Sequence, residues 1–283
     1  MVKKIFGKIY IYLILILMYI PVLVLIAFSF TEGKNVGDWQ GFSFNLYPKL
    51  FQNGEIMIAL GNTLILAISS ALVSVVLGTT GAIGSFYSKK GFRKSVDLVT
   101  NIPIANAEIV MALSLTVMFV FLQTFIFHMN ILSFWTLLIG HVVLSLPFVY
   151  ISVKPKLEQM DPSLYEAAID LGATPSQALW KVIIPEVLPG IFTGFLLAIT
   201  LSLDDFVITR FTTGSGLLSG EASIVTLSTY VQGKIKKTNI PSELRALTTI
   251  IFLVVILAVV GITIYRYYKD KHSLTREEKR ARG

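Results

Sequence analysis

The chain has 283 residues, of which 54% are hydrophobic and 14% are charged; its net charge is +7 and its mean hydropathy is +0.73. Soluble globular domains carry about a quarter charged residues, so this composition excludes a water-exposed surface and indicates an integral membrane protein. The absence of cysteine and the three scattered histidines exclude disulfide scaffolds, thiolate catalysis and the usual spacings of metal ligands. We therefore expect neither a metal nor a cofactor.

Uncharged stretches long enough to cross a bilayer recur along the whole chain. One helix needs about 20 residues to cross, and the uncharged blocks have the length for six helices once the longest is divided at the polar turn 127–130. The first block exceeds the apolar core of a cleavable signal peptide, which favours a retained anchor. We predict an all-α integral membrane protein with one membrane domain over 1–283. Its spans are expected at about 9–30, 58–86, 98–126, 131–153, 186–208 and 246–266.

The basic residues are distributed unevenly between the two sides that six spans define. Seventeen of the 24 Lys and Arg residues fall on the side that holds both termini, and seven fall on the other. Cytoplasmic segments carry an excess of Lys and Arg, so both the N-terminus and the C-terminus are expected in the cytoplasm. The positive net charge follows mostly from this sidedness, and we expect the lipid bilayer, not a nucleic acid, to be the partner of these residues.

Residues 155–185 form the one substantial loop expected on the cytoplasmic side, and they carry two consecutive helix-start signals. We predict two short helices that meet in a compact elbow on the membrane surface. The signals are, in order, a capping Asp161 with Pro162, a left-handed stop at Gly172, a capping box of Thr174 and Gln177 around Pro175, and an interruption at Pro185.

The same loop carries a spaced motif. Glu166, Ala167 and Ala168 are followed after three residues by Gly172, and after nine more by the run 182–185, Val-Ile-Ile-Pro. This pattern resembles the EAA loop of permeases of binding-protein-dependent ABC importers, in which the helix bearing the motif enters a groove on the ATPase subunit. The resemblance implies an ABC importer type I permease fold. It also implies ATPase coupling through Glu166, Ala167, Ala168 and Gly172.

Further segments are similar, in order along nearly the whole chain, to the second permease subunit of spermidine/putrescine importers. They are Trp39-Gln40-Gly41-Phe42 with Tyr47, Ala107 to Ala112, Leu146-Pro147-Phe148, Leu201 to Val207, and Thr213-Gly214. The resemblance implies a polyamine permease of a bacterial plasma (inner) membrane. Its implied partners are a second homologous permease, a cytoplasmic ATPase dimer and an extracytoplasmic polyamine-binding protein. No G-x-x-x-x-G-K-[ST] motif occurs, so we expect ATP hydrolysis to belong to the separate ATPase and this chain not to be an enzyme.

Three acidic residues lie inside or beside apolar spans. Counted from Asp97 at about 1.5 Å per residue, Glu108 lies about 17 Å into the third expected span, and Asp204 and Asp205 close the apolar part of the fifth. A carboxylate is costly in hydrocarbon, so we expect Glu108 and at least one of Asp204 and Asp205 to line a cation pathway. The alternative for each is a structural acid bonded to a neighbouring helix or an ordinary charge at the interface.

Other functions stay open. A permease for ferric ion or an oxyanion shares the six-helix plan and the EAA loop, although a surplus of acidic groups favours a cation. An ion-coupled secondary transporter would use the three acids as proton or sodium sites, and a membrane scaffold would use the elbow to dock a soluble partner. The EAA spacing argues against both of these.

Glycines at helical spacing predict close packing of two spans. Gly190 and Gly194 form a G-x-x-x-G in the fifth expected span, and Gly78, Gly81 and Gly84 lie on one side of the second. Small residues at this spacing let the backbones of membrane helices approach each other. We expect a packing role for all five rather than a ligand role.

Overall fold

The computed structural model describes residues 2–33, 35–128, 131–161, 163–213, 224–236, 240–257, 260–261 and 264, and over these residues it contains helices without strands. Helices satisfy every backbone hydrogen bond within one segment, which a bilayer core requires. They are α1 (Val2–Phe28), α2 (Leu46–Gln52), α3 (Gly54–Phe86), α4 (Lys90–Ala105), α5 (Glu108–Phe121), α6 (Phe134–Gln159), α7 (Ser163–Asp170), α8 (Pro175–Ala178), α9 (Ile184–Asp204), α10 (Val207–Thr212), α11 (Leu227–Lys236) and α12 (residues 243–257), with π-helical turns at Leu122–Phe127 and Leu179–Ile183.

Within the described residues, five helical segments are long and apolar enough to cross a membrane. They are Gly7–Phe28, Gly54–Phe86, Glu108–Phe127, Phe134–Gln159 and Pro175–Asp204. The all-α membrane fold is therefore confirmed. The sixth expected span, 246–266, begins within α12, and part of it beyond residue 257 lies outside the described residues.

The chain divides into two compact units, Met1–Met57 with Lys234–Gly283, and Ile58–Gly233. In the first unit, the Arg245 side chain at the start of α12 is buried and donates to the backbone carbonyls of Gly33 and Asn35. Lys234 donates to Glu55 at 2.8 Å in the same unit. These bonds tie α12 to the segment that follows α1, and α11 to the start of α3.

The second unit is built around α6, because thirteen of its 26 residues are buried. A Cβ atom on Gly190 would lie 2.7 Å from the carbonyl oxygen of Ser152, and one on Gly194 would lie 3.0 Å from the Cα of Val149. Real Cβ atoms do not come as close as 2.7 Å and seldom as close as 3.0 Å, so α6 and α9 pack backbone to backbone at both glycines. The predicted packing role of the G-x-x-x-G is confirmed.

The three glycines of α3 divide into two kinds. A Cβ on Gly78 would lie 2.8 Å from the side chain of Val149, which confirms close packing of α3 against α6. Gly81 and Gly84 have open space within 4 Å of that position in the described structure. The prediction is correct for Gly78, and the other two make no such contact within the described part of the chain.

The third expected span, 98–126, is not one continuous helix. The helix α4 ends at Ala105, Asn106 and Ala107 are extended with ψ of 147° and 136°, and α5 begins at Glu108. Pro103 inside α4 removes one backbone donor shortly before this break. The predicted depth of about 17 Å for Glu108 assumed one unbroken helix from Asp97, and that assumption is wrong. Glu108 is instead the first residue of a helix, where the helix dipole favours a carboxylate.

The predicted interruption at Pro185 is also wrong, because the helical path continues from Pro175 to Asp204. A π-helical turn at Leu179–Ile183 directly precedes α9, and the N–H of Ile184 bonds to the carbonyl of Leu179, five residues back. A proline clashes with the carbonyl four residues before it in an α-helix. The wider turn removes that clash, so the chain passes Pro185 and remains helical.

The turn predicted at 127–130 coincides with the end of a helix. The π-helical turn after α5 ends at Phe127, and His128 adopts left-handed backbone with φ of +51°. A capping box of Ser133 and Thr136 then starts α6. Met129 and Asn130 of the turn, and Pro162 of the elbow, lie outside the described residues.

Candidate functional site

The fold brings together the three acids that the sequence singled out. The hydroxyl of Thr116 in α5 donates to the carbonyl of Phe211 in α10 at 2.9 Å, which holds these two helices together. Glu108, at the start of α5, interacts electrostatically with both Asp204 and Asp205, which lie where α9 gives way to α10. Glu108 and Asp204 are exposed in the chain, whereas Asp205 is buried.

The carboxylate of Asp205 is occupied within the chain. It accepts hydrogen bonds from the backbone N–H of Ile208 at 3.1 Å, and from the backbone N–H and the hydroxyl of Thr209, both at 2.8 Å. The two backbone N–H groups are donors that a helix leaves unpaired in its first turn, so the Asp205 side chain caps α10. Asp204 is thus the member of the pair whose side chain is exposed.

Each exposed acid lies beside a break in a helix. Asn106 and Ala107 separate α4 from Glu108, and Asp205, with ψ of 126°, separates Asp204 from α10. The carbonyl of Asp205 accepts a 2.7 Å hydrogen bond from the hydroxyl of Ser228. In membrane proteins, broken helices are tolerated where they are buried in protein or line a cavity, and they commonly mark binding sites.

Reasoning from the sequence missed a buried histidine beside this site. His141 in α6 is 1% exposed, its Nδ1 lies 2.8 Å from the hydroxyl of Ser202, and its Nε2 lies 3.0 Å from the hydroxyl of Thr209. Nε2 also lies 3.5 Å from the carboxylate of Asp205. The sequence did contain a signal that could have identified His141: it is a histidine in the middle of an apolar span, and polar residues there require partners.

The elbow that contains the EAA pattern begins with a cap. The carboxylate of Asp161 accepts hydrogen bonds from the backbone N–H of Ser163 at 2.9 Å and from its hydroxyl at 2.8 Å. Because both bonds favour the ionised form, they lower the pKa of the Asp161 carboxyl. The predicted cap at Asp161 is confirmed, and it fixes the start of α7.

The bend between α7 and α8 is closed by hydrogen bonds on both sides. Gly172 has φ of +85°, its N–H bonds to the carbonyl of Ile169, and the N–H of Ala173 bonds to that of Ala168. This is the Schellman pattern for a helix end that turns through a left-handed residue. The capping box of Thr174 and Gln177 starts α8 one residue later. Both predicted signals are confirmed.

Three of the four residues that the motif assigns to coupling are exposed on the elbow. Glu166, Ala167 and Gly172 are exposed, and Ala168 is half-buried. Leu171 is 89% exposed, far more than an apolar side chain beside a bend needs to be. Sequence analysis did not single out Leu171, because an apolar residue at the end of a predicted helix is ordinary.

Several contacts join the elbow to the long helices. The rings of Tyr165 in α7 and Tyr87 just after α3 are 5.5 Å apart between centroids. Arg93 in α4 pairs with Glu158 near the end of α6, and its guanidinium lies 5.5 Å from the ring centre of Phe86. The ends of α3, α4 and α6 are therefore tied to one another where the elbow begins.

A second polar cluster lies one turn further along α4. The carboxylate of Asp97 accepts a 2.6 Å hydrogen bond from Lys154 and a 2.7 Å hydrogen bond from the hydroxyl of Tyr150, both in α6. That hydroxyl also lies 3.0 Å from the hydroxyl of Ser85 in α3.

Within the described residues, no group of three or more His, Asp or Glu side chains is arranged to hold a metal ion.

Comparison with known proteins agrees with this architecture. Residues 74–271 match the family described as "Binding-protein-dependent transport system inner membrane component". The chain belongs to this family. This permease is 32% identical over 244 residues to the spermidine/putrescine transport system permease protein PotC of Haemophilus influenzae, covering 86% of the chain and 89% of the relative. It is also 32% identical over 229 residues to the putrescine transport system permease protein PotI of Escherichia coli, covering 79% and 77%.

Solved structures support the fold of the permease. A bacterial ABC transporter involved in import of the acidic polysaccharide alginate superposes with a TM-score of 0.68 at 16% identity, covering 94% of this chain and 96% of that one. The alginate transporter in complex with its alginate pentasaccharide-bound periplasmic protein superposes with a TM-score of 0.69 at 18% identity, covering 92% of each chain. The expected ABC importer permease fold is confirmed.

Proposed function

We propose that the permease carries polyamines, spermidine or putrescine, across a bacterial plasma membrane as one subunit of an ABC importer. The observation that carries the proposal is the 32% identity, over most of both chains, to a permease named for spermidine and putrescine transport. A second homologous permease completes the pathway. A separate cytoplasmic ATPase dimer hydrolyses ATP, and an extracytoplasmic polyamine-binding protein delivers the substrate.

The exposed acids are the proposed contacts for the substrate. Glu108 and Asp204 lie beside two helix breaks and close enough for their charges to interact. A linear polycation that leaves water needs anionic groups to replace its hydration, and carboxylates spaced along a pathway supply this. Asp205 contributes indirectly, because its carboxylate is taken up by the cap of α10.

The elbow is the proposed contact for the ATPase. Glu166 offers a charge, Ala167 and Ala168 allow close approach, and Gly172 sets the bend. The exposed apolar side chain of Leu171 adds a group that a groove on a partner would bury. Closure of the ATPase dimer would then move α7, and through it the ends of the membrane helices.

Both termini are proposed to lie in the cytoplasm, as the distribution of Lys and Arg indicates. The chain has no cysteine, so an introduced cysteine reports accessibility without background labelling. A cysteine at Ser43 should react with an impermeant thiol reagent in intact cells, and one at Ser88 should react after the cells are opened. Labelling of Ser88→Cys in intact cells would contradict this orientation.

The substrate is tested by ATPase activity of the assembled importer. The permease is purified with its native partner subunits, reconstituted in lipid, and mixed with binding protein and one of spermidine, putrescine, ferric ion or phosphate. Stimulation of ATP hydrolysis by a polyamine, with no response to ferric ion or phosphate, is the expected result. Stimulation by ferric ion or phosphate alone would assign the permease to a different substrate.

A further inference from the structure

A line of buried hydroxyls and one imidazole leads to the helix break at Asp205. The hydroxyl of Ser70 in α3 donates to that of Ser202 in α9 at 3.2 Å, and Ser202 lies 2.8 Å from Nδ1 of His141. On the other side of the ring, Nε2 lies 3.0 Å from the hydroxyl of Thr209, which donates to the carboxylate of Asp205. All five side chains are buried in the second unit. We call this set the His141 relay.

The carboxylate decides the direction of the hydrogen bonds in the His141 relay. Thr209 has one hydroxyl hydrogen, and it donates this hydrogen to the carboxylate of Asp205. The oxygen of Thr209 must then accept from the N–H at Nε2 of His141. With a neutral ring that carries its hydrogen on Nε2, Nδ1 accepts from Ser202, and the donors from Ser202 to Thr209 point toward Asp205. The hydroxyl of Ser70 lies 3.2 Å from both the hydroxyl of Ser202 and the carbonyl of Ala67.

The His141 relay supports the residue that shapes the candidate site. Asp205 is extended between α9 and α10, and it keeps that conformation while its carboxylate caps α10. His141 lies in the buried middle of α6, so its side chain is held in place by packing. Through its hydrogen bond to Thr209 it restrains the position of Thr209 and, through Thr209, that of Asp205. Asp204 precedes the break directly, so its direction depends on the backbone of Asp205.

We propose that His141 is a positioning residue for the substrate site: it holds Thr209 and Asp205 so that the helix break presents Asp204 beside Glu108. The inference rests on the proposed function, in which Glu108 and Asp204 line the polyamine pathway. His141 does not touch the substrate. His141 acts through the Nε2–H that it donates to Thr209. A substituted side chain with a hydrogen-bond donor at the same place should therefore preserve the position of Asp204.

The test compares two substitutions of His141 in the reconstituted importer. Gln at this position carries an amide N–H donor at the end of a side chain of similar reach, whereas Leu has no donor. His141→Gln should keep spermidine uptake within about threefold of the parent, and His141→Leu should lower it about tenfold, the factor that corresponds to one lost charge-assisted contact. His141→Leu should also shift the ratio of spermidine to putrescine uptake as Asp204→Asn does.

Coupling between the two positions separates positioning from a general structural role. Residues that act on one contact are not additive, so His141→Leu combined with Asp204→Asn should be no worse than the stronger single variant. Additive losses, or an unchanged ratio of spermidine to putrescine uptake in His141→Leu, would overturn the inference. If His141→Leu does not fold, Thr209→Val removes the hydroxyl that joins His141 to Asp205, and it is scored by the same two criteria.

A matched control and a separate outcome complete the test. Thr212→Val removes another buried hydroxyl of α10, the helix that contains Thr209; this hydroxyl donates to the carbonyl of Ile208. Thr212→Val should not change the ratio of spermidine to putrescine uptake. If Asp204→Asn weakens polyamine uptake and His141→Leu does not, the inference fails and the proposed pathway stands. If Asp204→Asn and Glu108→Gln both transport as the parent does, the proposed pathway fails and the inference fails with it.

Discussion

Lys154 donates a 2.6 Å hydrogen bond to the carboxylate of Asp97, and this pair joins α6 to α4 close to the elbow. α6 runs on from Lys154 into the elbow, while α4 runs from Asp97 to the break that precedes Glu108. A movement of the elbow therefore has a route to Glu108 through this pair. We interpret α4 as the element that would link the proposed ATPase contact to the proposed substrate site.

Breaking this pair should weaken the coupling of ATP hydrolysis to uptake. The side chains of Lys154 and Asp97 are 24% and 26% exposed, so the pair itself contributes about 1 kcal/mol. Lys154→Gln should lower the number of polyamines transported per ATP hydrolysed about twofold to fivefold, which is the factor that such a free energy allows. Uptake and phosphate release measured in the same proteoliposomes give this ratio.

The matched control for Lys154→Gln is Lys94→Gln, which removes an exposed lysine of α4. Its ratio of transport to hydrolysis should equal that of the parent. Asp97→Asn should reproduce the effect of Lys154→Gln, and the double variant should not add to it. Equal ratios in Lys94→Gln and Lys154→Gln would remove the role assigned to the pair.

The contact between α6 and α9 makes a prediction about stability. Gly190→Ala places a methyl group 2.7 Å from the carbonyl oxygen of Ser152, so the helices must separate, at a cost of about 1–3 kcal/mol. Gly81→Ala adds the same atom at a position where nothing in the described structure lies within 4 Å, and the better helix propensity of Ala should stabilise the helix by up to about 1 kcal/mol. In thermal unfolding in detergent, the melting temperature should be highest for Gly81→Ala, intermediate for the parent and lowest for Gly190→Ala. A Gly190→Ala variant as stable as the parent would show that the helices do not meet there.

The apolar spans and the elbow were predictable because local signals determine them. A run of uncharged residues such as Gly54–Phe86 needs no tertiary partner to be recognised as a membrane helix. The bend at Gly172 follows equally from residues within a few positions of it, namely a glycine that tolerates positive φ and a capping threonine after it.

Features that depend on distant residues were not predictable in the same way. The local sequence allows more than one backbone conformation before Glu108 and before Pro185, so it did not predict the helix break at the first position or the π-helical turn at the second. Asp204 and Asp205 are adjacent and identical in type, yet one is exposed and the other is buried against Thr209. The packing of α6 against α9 and α10 makes that distinction, and no local pattern records it.

The left-handed residue of the elbow should be intolerant of a β-branched side chain. Gly172 has φ of +85°, where an L side chain costs about 1–2 kcal/mol relative to glycine and a β-branched one such as valine is a backbone outlier. Gly172→Val should therefore distort the bend, and the ATPase subunit should no longer co-purify with the permease. Gly91→Val is the control, because Gly91 is exposed in α4, a Cβ there would have no neighbour within 4 Å among the described residues, and its φ is ordinary and negative.

Changes on the surface of the elbow test the same contact without backbone strain. Glu166→Lys reverses a charge, and Leu171→Ser removes the apolar group that is 89% exposed. Each should reduce ATPase co-purification while the yield of permease in the membrane stays at the parental level. Normal co-purification together with normal uptake in Glu166→Lys, Leu171→Ser and Gly172→Val would rule out this elbow as the coupling contact.

Neutralising the exposed acids should weaken transport and change preference. Glu108→Gln and Asp204→Asn keep size and most hydrogen-bonding capacity, so ATPase binding should persist. Each should lower spermidine uptake about tenfold, equivalent to about 1.4 kcal/mol, and putrescine uptake less, because spermidine carries one more amine. Glu186→Gln, at the opposite end of α9, serves as the control and should transport as the parent does. Lower thermal stability with an unchanged preference would identify both acids as structural.

Uptake into proteoliposomes tests the central claim most directly. The complete importer is reconstituted with ATP inside the vesicles and binding protein with labelled spermidine or putrescine outside, and parallel vesicles carry a proton or sodium gradient without ATP. We predict accumulation of a polyamine that requires both ATP and the binding protein. Accumulation driven by an ion gradient without ATP would contradict the account and identify a secondary transporter.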